Sequence, residues 1–281
     1  MSEPKKPEEV LQHIKSSTDK LTKLLETYAN SKDIKLIKKA DLLSYWIDEY
    51  SDYIQNETVF KPAKLKSYKR GDIIKLNFGF NVGAEYGGLH YAIVINNNNH
   101  HNSPVVTVIP LTSCKEGKAV HENDVELGNE IYRALKFKYD TITRTLNEEM
   151  KQTKEYMSVF KSFDEAAATK ITELSNNSPV LQSESNTDEF LAMFNNLIEY
   201  IKRKNVAIEN EKKQLDKIGK EIANMKEGSI ALVSQIVTVS KMKIYDPRSA
   251  RGVLHSIRIS TESMEKIDEK MKNLFIFNKK A

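Results

Sequence analysis

His90 has surroundings that favour chemistry, because it follows the pair Gly87-Gly88 and begins an apolar run over residues 91–95. An imidazole with an ordinary pKa of about 6.5 can take up and release a proton at neutral pH. Thr112 and Ser113 end a second apolar run, and their hydroxyls could hold an oxygen of a phosphate group. Each residue also has a purely structural interpretation: a hydrogen-bonded histidine within a strand, and hydroxyl residues that end one.

A local excess of positive charge marks the last part of the chain. Residues 228–281 carry ten basic side chains against five acidic ones, while the net charge of the whole chain is +4. Such an excess suits a polyanionic partner, although a solvated basic surface is the simpler interpretation. The candidate phosphate contacts in this part are Lys241, Arg248, Arg251 and Arg258.

The sequence argues against several other kinds of site. Cys114 is the only cysteine, which rules out an internal disulfide and a cysteine-based zinc site. His100 and His101 follow four asparagines without acidic neighbours, a pattern that predicts a solvated turn and not a metal site. We find neither a run of about 18 apolar residues, as a membrane span needs, nor a signal-peptide pattern. We therefore expect a cytoplasmic protein that uses no metal or cofactor.

The spacing of apolar residues divides the chain into four parts. Residues 1–60 form an N-terminal helical extension, in which two amphipathic helices are predicted between 7 and 57 with a break at 30–33. Residues 66–127 and 228–281 are rich in strand signals, and residues 128–227 between them show a helical period. The boundaries of these parts predict one folding unit interrupted by an insertion.

The two strand-rich parts contain short apolar runs bounded by Gly, Asn and Pro, which predict strands. In the first part the runs cover 72–78, 91–95 and 105–111, and 121–127 is a further candidate. In the second part strands are predicted over 229–239 and 253–259, followed by a helix that Ser260 caps. Neither part has enough strands to close a core alone. We therefore predict the α+β class, with a small SH3-like β-barrel built from both parts. Two independent domains are the less favoured alternative.

The insertion has the apolar period of about 3.5 residues that is typical of coiled coils. A polar stretch over 175–188 predicts the turn, with Thr187 or Asp188 as the cap of the second helix. Arms of this length, at about 1.5 Å per residue, should fold back antiparallel and reach roughly 60–70 Å. A self-packed hairpin is the simpler interpretation, and an arm that docks a partner or a second copy is the alternative.

Taken together, these stretches resemble the MazF/PemK family of endoribonuclease toxins from type II toxin–antitoxin systems. The resemblance lies, in the family's order, in residues 69–73 (KRGDI), 81–88 (NVGAEYGG), 92–97, 103–104 and 108–113, and after the insertion in 228–236, 238–239 and 263–268. It spans about 110 positions in all. The N-terminal helices and the insertion have no counterpart in this resemblance.

The resemblance implies a compact, dimer-forming barrel that cleaves single-stranded RNA without metal, with the ribose 2′-hydroxyl as nucleophile, and that a protein antitoxin blocks. By position, Thr112 matches the family's catalytic threonine, and His90 stands where the family usually has a catalytic arginine. A histidine fits this chemistry, since it can shuttle a proton and, when charged, donate to a phosphate oxygen. The same replacement would also fit a site that binds RNA and no longer cuts it.

The loop that would flank the RNA groove holds Asn81, Glu85 and Tyr86. Their side chains could stack on a base or bond to base edges, since unpaired bases give RNA recognition its specificity. We therefore expect a metal-independent endoribonuclease with His90, Thr112 and Ser113 at its centre. The alternative is a non-catalytic member of the family that acts as an interaction or regulatory protein through its helical arm.

Overall fold

A computed structural model describes residues 6–114, 117, 119–176 and 184–276 of the chain. The α-helices within these ranges are α1 (Pro7–Ala29), α2 (Ile34–Asn56), α3 (Glu130–Asn176), α4 (Glu184–Asn224) and α5 (Thr261–Phe275). The strands are β1 (Ile73–Asn77), β2 (Leu89–Val94), β3 (Val105–Ser113), β4 (Val125–Gly128), β5 (Ser229–Ala231), β6 (Val237–Ser240) and β7 (Ile244–Asp246). None of the helices in the described ranges combines the length and apolar character needed to cross a bilayer.

Strands from both sides of the insertion form one antiparallel sheet. Its order is β4-β5-β3-β2-β1-β7, and β6 pairs with the first half of the long strand β3. After the insertion, β5 returns to pair with both the end of β3 and β4. The predicted α+β fold, a small β-structure interrupted by helices, is therefore confirmed.

Both faces of this sheet are buried, because apolar residues occupy successive positions along the central strands. Alternation along a strand sends Ile73 and Ile93 to one face and Ile74 and Ala92 to the other. The first face packs against the start of α3, the end of α4 and α5. The second face packs against Leu65 and other residues of the segment that precedes β1. Elements outside the strands thus cover the sheet on each side.

The insertion is an antiparallel pair of long helices. Lys204 of α4 bonds to Glu149 of α3 at 3.1 Å, and the rings of Tyr156 and Tyr200 lie 6.4 Å apart. α3 has 47 residues, which corresponds to about 70 Å. The predicted cap at Thr187 or Asp188 is wrong, since α4 already begins at Glu184. Part of the predicted turn, residues 177–183, lies outside the described residues.

The base of the insertion, where α3 and α4 leave the sheet, belongs to the core. Ile131, Leu135 and Ile218 are at most 2% exposed and join the cluster on the first face of the sheet. Polar contacts add to this packing: Glu221 of α4 accepts hydrogen bonds from Lys75 Nζ, at 2.5 Å, and from the hydroxyl of Tyr91. The base is therefore fixed to the sheet by both apolar and charged contacts.

A second group of polar contacts ties the base of the insertion to the C-terminal part. The ammonium of Lys138 donates to the carbonyl oxygens of Gly252, Val253 and His255 at 3.3, 2.8 and 2.9 Å. At the start of α3, the carboxylate of Glu130 accepts hydrogen bonds from Ser260 and Ser263, at the N-terminus of α5. These contacts place the C-terminal helix against the insertion.

The C-terminal strands differ from the sequence-based prediction. The run 229–239 is not one strand, because a 3-10 turn over Val233–Gln235 separates β5 from β6. The break lies opposite Pro110 of β3, which has no N–H to continue the ladder, and the N–H of Leu232 donates to its carbonyl. The run 253–259 contributes a single bridge, Arg258 with Asp72, and β7 was not predicted. The cap at Ser260 is confirmed: its hydroxyl accepts from Ser263 N–H at 3.2 Å.

The N-terminal helices form where the sequence predicts them, and α2 reaches the sheet. Asp33 caps α2 by accepting from the N–H of Lys35 at 2.8 Å. Further along the helix, Trp46 packs on Gly79 so closely that a Cβ at that glycine would lie 2.8 Å from the indole ring. Only glycine fits here, both for this approach and for its φ of +98°. The contact sets α2 against the loop between β1 and β2.

Candidate functional site

His90 and Thr112 lie near the same end of two neighbouring antiparallel strands, β2 and β3, and line the same pocket. Ala92 of β2 is paired with Pro110 of β3. Two residues further along each strand come His90 and Thr112, and residues two apart point to the same face. Both side chains therefore reach the same end and the same face of the strand pair. The sheet thus brings together two residues that are 22 positions apart in sequence.

Tyr86 connects these two residues. Its ring centroid lies 4.6 Å from that of His90, and its hydroxyl donates to the carbonyl oxygen of Leu111 at 2.5 Å. The other side of the ring meets Phe78 edge-on at 5.6 Å. Burial raises the pKa of the Tyr86 hydroxyl, which the neighbouring Thr112 side chain opposes, so the phenol stays protonated. The ring of Tyr86 is thus held by its own contacts and packs against the imidazole.

The half-buried imidazole of His90 favours its neutral form. Burial lowers the pKa of His90 below the usual value, and a contact with the backbone of Gly87 acts in the opposite direction. The ring lies over Gly88, where a Cβ would be 3.6 Å from Nε2, and Gly88 has a φ of +86°. A neutral imidazole at physiological pH is able to accept a proton.

His90, Thr112 and Ser113 line one pocket of about 240 Å³. The opposite wall of this pocket comes from the end of the insertion, through Asn224, Met225 and Lys226. The role of these three residues could not be predicted from the sequence, because only the folding back of α4 brings them to the strands. The one signal in the sequence was the charge of Lys226, which lies next to the second strand-rich part.

The loop residues Asn81 and Glu85 support the loop itself. Asn81 Nδ2 donates to the carbonyl oxygen of Tyr86 at 2.7 Å, and Glu85 accepts from the N–H of Val82 at 3.2 Å. Both also line a groove of about 620 Å³ that runs along residues 234–240, on the side of the loop where Tyr86 lies. The loop is therefore stabilised by its own hydrogen bonds and forms one edge of the groove.

The N-terminal helix α2 forms part of the same neighbourhood. A pocket of about 370 Å³ is lined by the loop together with Trp46 and Glu49. Asn77, at the end of β1, donates to the Glu49 carboxylate, and the ammonium of Lys243 lies 5.2 Å from the Trp46 ring centroid. The sequence predicted the helix and gave no sign that its aromatic residue would lie against this loop.

The four basic residues predicted from the C-terminal part are not brought to the His90 pocket. Lys241 is 1% exposed and donates to the carbonyl of His100, and Arg258 forms an ion pair with Asp72 at 2.5 Å. Arg248 and Arg251 are exposed, and Arg248 lines a separate pocket beside α2. Among the described residues, no group of three or more His, Cys, Asp or Glu side chains is placed to hold a metal ion.

Comparison with known proteins finds a family match for part of the chain. Residues 69–153 match the family described as PemK-like, MazF-like toxin of type II toxin-antitoxin system. The match covers β1 to β4 and the first half of α3, and thus both His90 and Thr112. No curated protein matches the chain. The part of the chain that holds His90 and Thr112 is therefore similar to the PemK-like, MazF-like toxin family.

Proposed function

We propose that this chain is a toxin-type, metal-independent endoribonuclease that cuts single-stranded RNA. The observation that carries the proposal is the shared pocket of His90 and Thr112 in a domain of the PemK-like, MazF-like family. A base beside a hydroxyl donor is what attack by a ribose 2′-hydroxyl on the adjacent phosphate requires. The RNA itself supplies the nucleophile.

In this reaction neutral His90 takes the proton of the 2′-hydroxyl. The 2′-oxygen forms a bond to phosphorus, and the bond between phosphorus and the 5′-oxygen breaks. The proton then passes from the imidazolium, or through water, to the leaving 5′-oxygen, which gives a 2′,3′-cyclic phosphate and a 5′-hydroxyl. Thr112, with Ser113, donates a hydrogen bond to a non-bridging phosphate oxygen as charge develops on it.

The groove beside the pocket suits the bases that flank the cut. Its walls offer the amide of Asn81, the carboxylate of Glu85 and the ring of Tyr86, which match base edges and base faces. We assign the exposed Arg248 and Arg251 to contacts with more distant phosphates. We leave out Lys241 and Arg258, because Lys241 donates to a backbone carbonyl and Arg258 is paired with Asp72.

The family membership also supports the partners that we assign. We infer that a protein antitoxin occupies the groove, that two copies form a homodimer, and that the protein acts in the cytoplasm on cellular RNA. Co-expression with the product of a neighbouring small reading frame should relieve toxicity and yield a stable complex. Failure of every such product to bind would contradict the antitoxin assignment.

Purified protein incubated with a mixed RNA in EDTA tests the nuclease. We expect fragments with cyclic phosphate ends, and no cleavage of the same oligomer when a 2′-deoxy residue replaces the ribose at the cut. His90→Ala and Thr112→Val should each lower kcat/KM at least about 100-fold. His13→Ala, on the exposed face of α1, is the matched control and should cut normally. Intact RNA across pH 6–9 with the wild-type protein would refute the proposal.

A second candidate function is supported by the arm. Apolar side chains in its middle are open to solvent, including Met157 at 50% and Val159 at 69% exposure. Under this alternative the β-domain no longer cuts, and the arm binds a partner. The alternative requires His90→Ala to leave growth inhibition in cells unchanged and substitution of the exposed arm residues to abolish it. The opposite pair of results supports the nuclease.

A further inference from the structure

The insertion contributes directly to the pocket of His90 and Thr112. Asn224 ends α4, and the N–H of Met225 still donates to the carbonyls of Glu221 and Ile222. Glu221 is in turn bonded to Lys75 and Tyr91 of the sheet. The chain then returns to the sheet at Gly228, whose carbonyl accepts from the N–H of Cys114 at 3.0 Å. The short segment between these two anchors is held at the pocket's edge.

Lys226 is the charged residue in this segment that lines the pocket. Among the described residues it has no hydrogen-bond or ion-pair partner, unlike Lys204 and Lys212 of α4, which pair with Glu149 and Glu209. Its acidic neighbour Glu227 accepts a hydrogen bond from Asn129. Lys226 therefore brings an exposed, uncompensated ammonium to the pocket.

The pocket needs such a charge if RNA is cut there. Attack on a phosphodiester places additional negative charge on the non-bridging oxygens, and a nearby cation stabilises that charge. The hydroxyls of Thr112 and Ser113 are neutral donors, and a histidine that accepts the proton starts out neutral. Of the described residues that line this pocket, Lys226 alone carries a full positive charge.

We propose that Lys226, supplied by the helical insertion, binds a non-bridging oxygen of the scissile phosphate and stabilises its developing charge. The inference rests on the proposed function, because it assigns the phosphate-binding cation of that same site. It also gives the insertion a role in the reaction, since the base of the arm holds this lysine against the strands. RNA bound in this pocket would lie at the ends of β2 and β3, beside the segment that follows α4.

Lys226→Gln, Lys226→Arg and the control Lys217→Gln test this assignment. Lys217 is an exposed lysine on the same helix that does not line the pocket. Two measurements are needed: kcat/KM for RNA, and the salt dependence of binding to a single-stranded oligomer with 2′-deoxy residues that cannot be cut. We expect Lys226→Gln to lower kcat/KM about 100-fold and Lys226→Arg to restore most of it. The slope of log K against log salt should fall by about 0.7 for Lys226→Gln.

The two measurements separate the failure of this inference from failure of the nuclease. If the wild-type protein cuts RNA and Lys226→Gln cuts equally well, the assignment of Lys226 is wrong and the nuclease stands. If the wild-type protein does not cut, a reduced salt slope for Lys226→Gln alone still supports the phosphate contact. An unchanged salt slope for Lys226→Gln, or the same losses in Lys217→Gln, also overturns the inference.

Discussion

Single residues set the chemistry of the site, and for His90 the deciding property is burial. The imidazole lies against the Tyr86 ring and the Gly87-Gly88 backbone, which removes water from one side of the ring. Sequence alone could place a histidine after a glycine pair at the start of a strand. It could not give the tyrosine contact, because Tyr86 reaches His90 only after the loop has folded back over the strand.

The lowered pKa of His90 predicts the pH dependence of cleavage. A general base works in its neutral form, so kcat/KM should rise with pH, with a midpoint below the ordinary value of about 6.5, and then stay level to pH 8. The cause is burial, which disfavours the charged imidazolium. A pH–rate profile of the wild-type protein measures the midpoint. A midpoint above 7 would contradict the role of His90 as the base.

Asp72 gives a second prediction at this scale, for stability. Its side chain is 5% exposed; burial raises the pKa of the carboxyl, but hydrogen bonds from Lys66 and Arg258 outweigh this and lower it overall. The ionised form therefore stabilises the fold above the pKa of the unfolded state, about 3.9, and this contribution is lost as the pH falls through the folded-state pKa.

Asp72→Asn should lower the free energy of unfolding by about 3 kcal/mol at pH 7, because two cations lose a buried partner. The difference from the wild-type protein should shrink as the pH approaches 3. Urea unfolding at several pH values measures both quantities. Asp48→Asn, an exposed site on α2, should change stability little. A difference that grows on acidification would show that Asp72 is not held as a carboxylate.

Among the elements, long periodic helices were the most predictable from sequence and short strands the least. The helical spacing in residues 7–57 and in the insertion covers many turns, so α1 to α4 could be recognised without tertiary information. β5 and β7 have three residues each, too few for a pattern. Their existence depends on pairing with β3, β4 and β1, which a local sequence does not contain.

The contact of α3 with the C-terminal part gives the prediction for elements. Lys138→Met would leave three carbonyl oxygens, those of Gly252, Val253 and His255, without their shared donor. We expect the free energy of unfolding to fall by roughly 2 kcal/mol, since partly buried acceptors lose a charged hydrogen bond. Lys136→Met, on the exposed side of the same helix, is the control. Equal stability of the two variants in urea would contradict the proposed role of Lys138.

At the scale of the whole molecule, the sequence predicted that a helical insertion interrupts one β-unit. It did not show how much of the core the insertion itself contributes. Strand patterns on both sides of a helical period indicate one β-unit with an insertion, and the sheet order confirms it. That Ile131, Leu135 and Ile218 of the insertion complete the core was not evident, because an apolar position in a helix pair is expected to face its partner helix.

Because the base of the insertion belongs to the core, we expect opposite results for two deletions. Replacing residues 157–199 by a short Gly/Ser loop removes the outer arm beyond the Tyr156–Tyr200 contact and should leave a folded protein. Replacing 129–226 removes three fully buried side chains, each worth about 1.5–3 kcal/mol. Their sum is comparable to the total stability of a typical domain, about 5–15 kcal/mol. Circular dichroism and urea unfolding of both variants check this, and a stable fold after the larger deletion would contradict it.

The position of the insertion between β4 and β5 also has a consequence for synthesis on the ribosome. His90 and Thr112 emerge early, whereas Lys226 and the strand that pairs with Thr112 follow only after about 100 further residues. At a translation rate of about 5–20 residues per second, that interval lasts roughly 5–20 s. During this time the nascent chain has His90 and Thr112 without the rest of the pocket. The pocket is therefore complete only after the whole insertion has been synthesised.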